Sequence, residues 1–105
     1  MKEIGDLKEL NQFIGSSSKV VVEFHAEWCG PCRRITPQFK QISEGHPNIS
    51  FALIDMDGQD EICDKYKIDV FPTFIFYHNS KQFAKVFGAN EHKLRENIEK
   101  LSEAV

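Results

Sequence analysis

Cys29 and Cys32 are separated by a Gly-Pro pair and lie where a strand-like segment gives way to a helix-like one. An apolar run at residues 20–24 precedes them, and apolar residues recur at helical spacing from 35 to 42. The pattern predicts a strand, a tight turn and a helix from about Cys32 to residue 44. Because a helix N-terminus presents unpaired N–H groups and the positive end of the peptide dipoles, it stabilises a thiolate, the reactive form of cysteine.

The remaining segments predict one α/β domain over residues 1–105. Further helices are expected near residues 7–15, 57–66 and from 90 onward, and strands near 20–25, 49–56, 74–77 and 82–87, with an extra strand at 2–4. Asp6 with Glu9 resembles a capping box, and Asn90 is expected to cap the last helix. This order predicts a central mixed β-sheet of four to five strands, flanked by helices on both faces.

Composition excludes several classes of protein. The chain is 41% hydrophobic with nine Phe, which argues against intrinsic disorder. The net charge is −3 without a basic block, so we expect no nucleic-acid partner. No apolar run approaches the roughly 20 residues that span a bilayer, and residues 1–6 do not resemble a signal peptide. We therefore expect a location in the cytoplasm or nucleus, where a close cysteine pair is more often catalytic or metal-binding than structural.

The cysteine pair favours redox chemistry over zinc binding. A structural zinc site needs four ligands, but only Cys63 remains, and the four histidines form no closely spaced pair. In a redox pair, Cys29 precedes the helix and should be the more exposed sulfur. It would attack a substrate disulfide, and Cys32 would then attack Cys29 and release the reduced substrate. Gly30 would let a partner's backbone approach closely, and Pro31 suits the first helical turn.

Three segments resemble the thioredoxin family. Residues 24–33, with Pro37 downstream, are similar to its active-site segment, residues 71–74 to its cis-proline loop, and residues 87–90 to its third substrate-facing loop. They occur in the family's order and at its spacing. The resemblance implies a thioredoxin fold and a thiol–disulfide oxidoreductase, specifically a protein-disulfide reductase that carries electrons in redox homeostasis. It also implies that Cys29 is the nucleophile and Cys32 the resolving thiol.

The resemblance further implies a substrate groove beside the dithiol. Pro72 would follow a cis bond and pack against the sulfurs, and the backbone of Phe71 would pair with the substrate chain. The residues expected to border the groove are Trp28, Gly30, Pro31, Phe71, Pro72, Gly88 and Ala89. Without the resemblance, Pro72 would be interpreted as the start of an edge strand. From local sequence alone, Gly88 is equally compatible with a simple turn between a strand and a helix.

Glu23 interrupts the apolar run and departs from the family pattern, which usually has a buried Asp at this place. The resemblance implies that the carboxyl accepts the proton of Cys32, and burial would raise its pKa toward neutrality for that task. The alternative is a solvated carboxyl at the edge of the sheet. Leu53 is a second departure, since some family members carry Lys near the acid; an apolar residue there would make Glu23 harder to ionise.

Three further residues have competing interpretations. Asp57 is expected either to accept a hydrogen bond from the Trp28 indole, as in the family, or to cap the helix over 58–66. Cys63 is expected to be a half-buried apolar filler, with a regulatory thiol as the alternative. His25 abuts the motif and is expected to be a tolerant, half-exposed position, with electrostatic tuning of Cys29 as the alternative.

The implied electron route needs no bound cofactor and no metal. Electrons would come from NADPH through thioredoxin reductase, and the clients would include peroxiredoxins, ribonucleotide reductase and methionine sulfoxide reductases. A monomer is expected. Two rival functions remain open on the sequence: an isomerase or oxidase of the secretory pathway, and a non-catalytic module that binds partners through the same groove.

Overall fold

Strands and amphipathic helices alternate along the chain as far as the strand Thr73–His78, which a hairpin joins to the strand Lys81–Phe87, and they build a mixed β-sheet with helices on both faces. The computed structural model describes all 105 residues. Its elements are β1 (Lys2–Ile4), α1 (Leu7–Gly15), β2 (Lys19–His25), α2 (Gly30–Glu44), β3 (Ser50–Asp55), α3 (Asp60–Tyr66), β4 (Thr73–His78), β5 (Lys81–Phe87) and α4 (Glu91–Glu103). The predicted order of elements is confirmed, including the extra N-terminal strand.

Strand β2 occupies the centre of the sheet. The strand order is β1-β3-β2-β4-β5, with β2 parallel to β3 and antiparallel to β4. All residues from Val20 to Phe24 are buried, as expected for a central strand that is covered on both faces. Because α2 starts five residues after β2 ends, the cysteine pair lies at the C-terminal end of this central strand.

The two faces of the sheet carry separate apolar clusters. Successive side chains of a strand point to opposite faces, so Val20, Val22 and Phe24 pack toward α1 and α3. Val21 lies in the other cluster, which is built with α2 and α4. Glu23 has the same parity as Val21 and therefore points toward α2.

The predicted caps form. Asp6 accepts a hydrogen bond from the Glu9 amide at 2.8 Å, and Asn90 accepts one from the Lys93 amide at 3.0 Å. The Glu9 carboxylate accepts from the amide of Gly5 at 2.6 Å, one residue earlier than in a standard capping box.

Two predicted helix boundaries are wrong. Helix α2 begins at Gly30 rather than Cys32, because the Cys29 side chain itself caps it. Helix α3 begins at Asp60 rather than Asp57, because Gly58, at φ +74°, belongs to a turn before the helix. None of the four helices combines the length and apolarity that crossing a membrane requires.

Candidate active site

The cysteine pair sits at the N-terminus of α2. Cys29 is the N-cap residue, and its sulfur accepts a hydrogen bond from the Cys32 amide at 3.2 Å. The two sulfurs are in contact as a disulfide, with the Cα atoms 5.3 Å apart. When the pair is reduced, this amide and the helix dipole would stabilise a thiolate on Cys29. The arrangement therefore supports a pair that cycles between dithiol and disulfide.

Both sulfurs are largely enclosed. Cys29 is the more exposed residue of the two, at 5% against 1% for Cys32, so the expected order holds but the difference is small. Cys29 is covered by Ala26 and Phe71, and its sulfur lies 3.5 Å from the Phe71 carbonyl oxygen. A client disulfide would therefore have to approach along the Phe71 backbone.

The loop at Phe71 and Pro72 lies directly against the dithiol. The bond between these residues is cis, as the family resemblance implies, and Pro72 is buried. Its carbonyl accepts a hydrogen bond from the Gly88 amide at 2.8 Å. Gly88 has φ +79°, a conformation that L side chains rarely adopt, so the backbone rather than lack of space favours glycine there. Gly88 thus anchors this loop as well as forming a turn between β5 and α4.

An exposed apolar rim surrounds the cysteine pair. The Trp28 side chain is 68% exposed, and its ring meets the Phe71 ring edge-on at a centroid distance of 5.7 Å. Gly30, Pro31 and Ala89 are also exposed. Such a rim suits the docking of an extended client chain.

Val70 and Phe87 are also exposed near this rim. Neither is among the residues predicted to border the groove, although Phe87 belongs to the segment 87–90 that resembles the third substrate-facing loop. Val70 directly precedes Phe71. Phe87 pairs in the sheet with Thr73, the residue that follows Pro72. Phe87 is the last residue of β5, and in the sequence it resembles an ordinary apolar strand residue. Its position at the edge of the sheet exposes it.

Glu23 is fully buried in the centre of the sheet. Its alternative placement at a solvated sheet edge is therefore wrong. Its in-register neighbours, Leu53 on β3 and Phe74 on β4, are apolar. Burial raises the pKa of the carboxyl to about 7, against smaller lowering effects of a hydrogen bond from Thr36 and the charge of Lys40. A group with this pKa can exchange a proton near neutral pH, as the proposed role requires.

A cleft of about 410 Å³ opens beside Cys32. The lining residues are His25, Ala26, Glu27, Cys32, Arg33, Thr36 and Pro37. Arg33 is held there by its Nε, which donates to the Glu27 carbonyl at 3.0 Å. Thr36, which the sequence did not single out, is the member that also contacts Glu23: its hydroxyl donates to Oε2 at 2.7 Å.

Both expectations for Asp57 are wrong. No hydrogen bond joins it to the Trp28 indole, and the N-cap residue of α3 is Gln59, which makes no side-chain cap bond. Asp57 is exposed in the turn before the helix, where its amide donates to Oδ1 of Asp55 at 3.0 Å. An acidic residue before a helical pattern is typical of a cap, but here a turn lies between Asp57 and the start of the helix.

Cys63 lies apart from the cysteine pair, whereas His25 lines the cleft beside Cys32. Cys63 packs partly buried against the core, as expected for an apolar filler, and burial together with Asp60 and Asp64 raises the pKa of its thiol. A less acidic thiol is a poorer nucleophile at neutral pH, which disfavours the regulatory alternative. Burial lowers the pKa of His25, against opposing effects of nearby carboxylates.

The fold and the cysteine pair define a thiol–disulfide oxidoreductase domain. The sequence profile of the Thioredoxin family matches residues 4–100, and the chain belongs to the thioredoxin family. It is 37% identical to a thioredoxin of Ophiophagus hannah over 95% of this chain and 97% of that protein. A thioredoxin structure from Plasmodium falciparum, 35% identical, superposes with a TM-score of 0.90 and covers 95% of this chain and 98% of that one.

The domain also resembles part of a much larger protein. It is 39% identical to a peptide-N(4)-(N-acetyl-beta-glucosaminyl)asparagine amidase of Caenorhabditis elegans over 91% of this chain. The match spans only 16% of that amidase and 17% of its Caenorhabditis briggsae counterpart. The chain therefore spans less than a fifth of the length of these two relatives.

Proposed function

We propose that this protein reduces disulfide bonds in other proteins. The observation that carries the proposal is the sulfur pair at the N-terminus of α2, with Cys29 beside the Phe71 carbonyl and an exposed apolar rim. A client backbone pairing with Phe71 would bring its disulfide to the sulfur that the helix dipole activates. Trp28, Gly30, Pro31, Pro72, Gly88 and Ala89 would border the bound client.

The reaction proceeds in two exchanges. The Cys29 thiolate attacks one sulfur of the client disulfide, forming a mixed disulfide and releasing the client's other sulfur as a thiol. Cys32 then loses its proton to Glu23 and attacks Cys29, which releases the second client thiol. The client gains two electrons and the Cys29–Cys32 disulfide forms, so no bound cofactor is needed.

Regeneration of the dithiol requires an external donor. We assign this step to a thioredoxin reductase that draws electrons from NADPH, with cytoplasmic disulfide proteins as clients: peroxiredoxins, ribonucleotide reductase and methionine sulfoxide reductases. The family resemblance supports these partners, and we extend the proposal to a cytoplasmic location and a monomeric state.

Insulin reduction with NADPH and a thioredoxin reductase tests the proposal. The unaltered chain should turn over, Cys29→Ser should abolish turnover, and Cys32→Ser should accumulate the mixed disulfide. Cys63→Ser is the matched control and should retain turnover, because this thiol lies outside the site. Retention of biological activity by Cys29→Ser would instead identify a binding module. A reduction potential well above that of reductants would identify an oxidase or isomerase.

A further inference from the structure

Thr36 connects the buried carboxyl of Glu23 to the solvent-facing cleft. Its hydroxyl donates to Oε2 of Glu23 at 2.7 Å, whereas Oε1 is buried and has no hydrogen-bond partner. Glu23 does not itself line the cleft, but Thr36 and Cys32 both do. Since Thr36 follows Cys32 by four residues in α2, the two side chains lie one turn apart on the same helix face.

Few other polar groups face this carboxyl. The neighbouring strands present the apolar Leu53 and Phe74, and α4 contributes only Leu and Ile to this face. Helix α2 adds the charge of Lys40, which acts on Glu23 from a distance. His25, two residues on along β2, lines the cleft. Thr36 is therefore the group that makes direct polar contact with the carboxyl.

We propose that Thr36 is a positioning residue for the resolving step: its hydroxyl holds Oε2 at the cleft wall, leaves Oε1 free for the Cys32 proton, and passes protons between the carboxyl and solvent. This rests on the proposed function. After Cys32 has given its proton to Oε1 of Glu23, the carboxylic acid group rotates so that this proton faces the Thr36 oxygen, and the acid donates it to that oxygen. Thr36 releases its own hydroxyl proton to water in the cleft. The net change is one proton moved from Glu23 to water, with Thr36 restored.

The hydrogen bond can be tested without any client protein. In the oxidised chain, the carboxyl carbon of Glu23 is titrated by NMR in the unaltered protein, Thr36→Val and Thr36→Ser. The valine variant keeps the shape but loses a hydrogen bond to the charged form, so the midpoint should rise by about one pH unit. The serine variant keeps the hydroxyl and should titrate near the unaltered chain. Thr36→Ala repeats the loss without the added methyl group.

The proton route needs a second measurement on the resolving step alone. In a Cys63→Ser background, Cys29 is converted to a mixed disulfide with a chromogenic thiol, and release of that thiol by Cys32 is followed against pH. Thr36→Val should move the midpoint upward by about the same one pH unit, and Thr36→Ser should restore it.

The results separate the two proposals. Equal Glu23 midpoints in the valine variant and the unaltered chain, or equal displacement in the serine and valine variants, would overturn the role of the hydroxyl. A displaced carboxyl midpoint with an unchanged release profile would overturn the proton route. Failure of the unaltered chain to reduce insulin would contradict the proposed function, whereas the NMR titration would still report on Thr36.

Discussion

The ionisation of Glu23 should make this fold less stable as the pH rises. Burial raises the carboxyl pKa to about 7 from the ordinary 4.5, so the folded chain keeps a proton that the unfolded chain has already released. Stability should therefore fall as the pH rises from 4.5 and level off above 7. At about 1.4 kcal/mol per pH unit, the difference between these pKa values amounts to about 3 kcal/mol. Glu23→Gln removes the ionisation and should remove this decline.

Urea unfolding of the oxidised protein between about pH 4 and pH 9 measures the effect. The free energy of unfolding of Glu23→Gln, minus that of the unaltered chain, should rise by about 3 kcal/mol across this range, because contributions from other groups cancel. Glu96→Gln is the matched control: it removes the same charge from an exposed position on α4 that makes no ion pair, so its difference should stay constant. A constant difference for Glu23→Gln as well would refute the reasoning.

Three further substitutions test the fold by urea unfolding at a single pH. Asn90→Ala removes the cap of α4 and should lower the free energy of unfolding by about 1 kcal/mol, with Asn90→Ser as the conservative control. Phe39→Ala should lower it by about 3–5 kcal/mol, because this fully buried ring packs against Phe51 and Phe74. Lys67→Gly should raise it by about 0.5–1 kcal/mol, because Lys67 ends α3 in the left-handed region at φ +57°.

For each of these substitutions, one result would contradict the prediction. Equal stability of Asn90→Ala and the unaltered chain would show that the cap bond contributes nothing. A loss below about 1 kcal/mol for Phe39→Ala would contradict close packing on this face of the sheet. Destabilisation by Lys67→Gly would show that the lysine side chain contributes more than the backbone strain that glycine relieves.

Local patterns predicted most of the architecture. The apolar run at residues 20–24, which Glu23 alone interrupts, predicts the central strand, since a strand covered on both faces is apolar at nearly every position. Asp6 and Asn90 identified helix starts because a cap depends on neighbouring residues alone. Local sequence also predicts the dithiol, because the spacing of the two cysteines and their position before a helix specify both sulfurs.

Features that depend on tertiary contacts were missed. The role of Thr36 follows from a helix packed on a strand thirteen residues away, and nothing in its immediate sequence marks a threonine as the partner of a buried acid. Likewise, Val70 and Phe87 are exposed beside the Pro72 loop: Val70 lies in the loop before Phe71, and Phe87 ends β5 at the edge of the sheet. The cap predicted at Asp57 is wrong for the opposite reason. The local sequence is typical of a cap, but a turn at Gly58 separates Asp57 from the helix.

Pro37 follows Thr36 directly within α2 and cannot donate the amide hydrogen bond that would reach back to the Arg33 carbonyl. The first two turns of the helix, which carry the sulfurs and the hydroxyl, are thus joined to the remainder by one fewer backbone link. If a docking client tilted this short segment, it would strain the hydrogen bond from Thr36 to Glu23. Docking of a client at the surface would then change the pKa of the buried carboxyl.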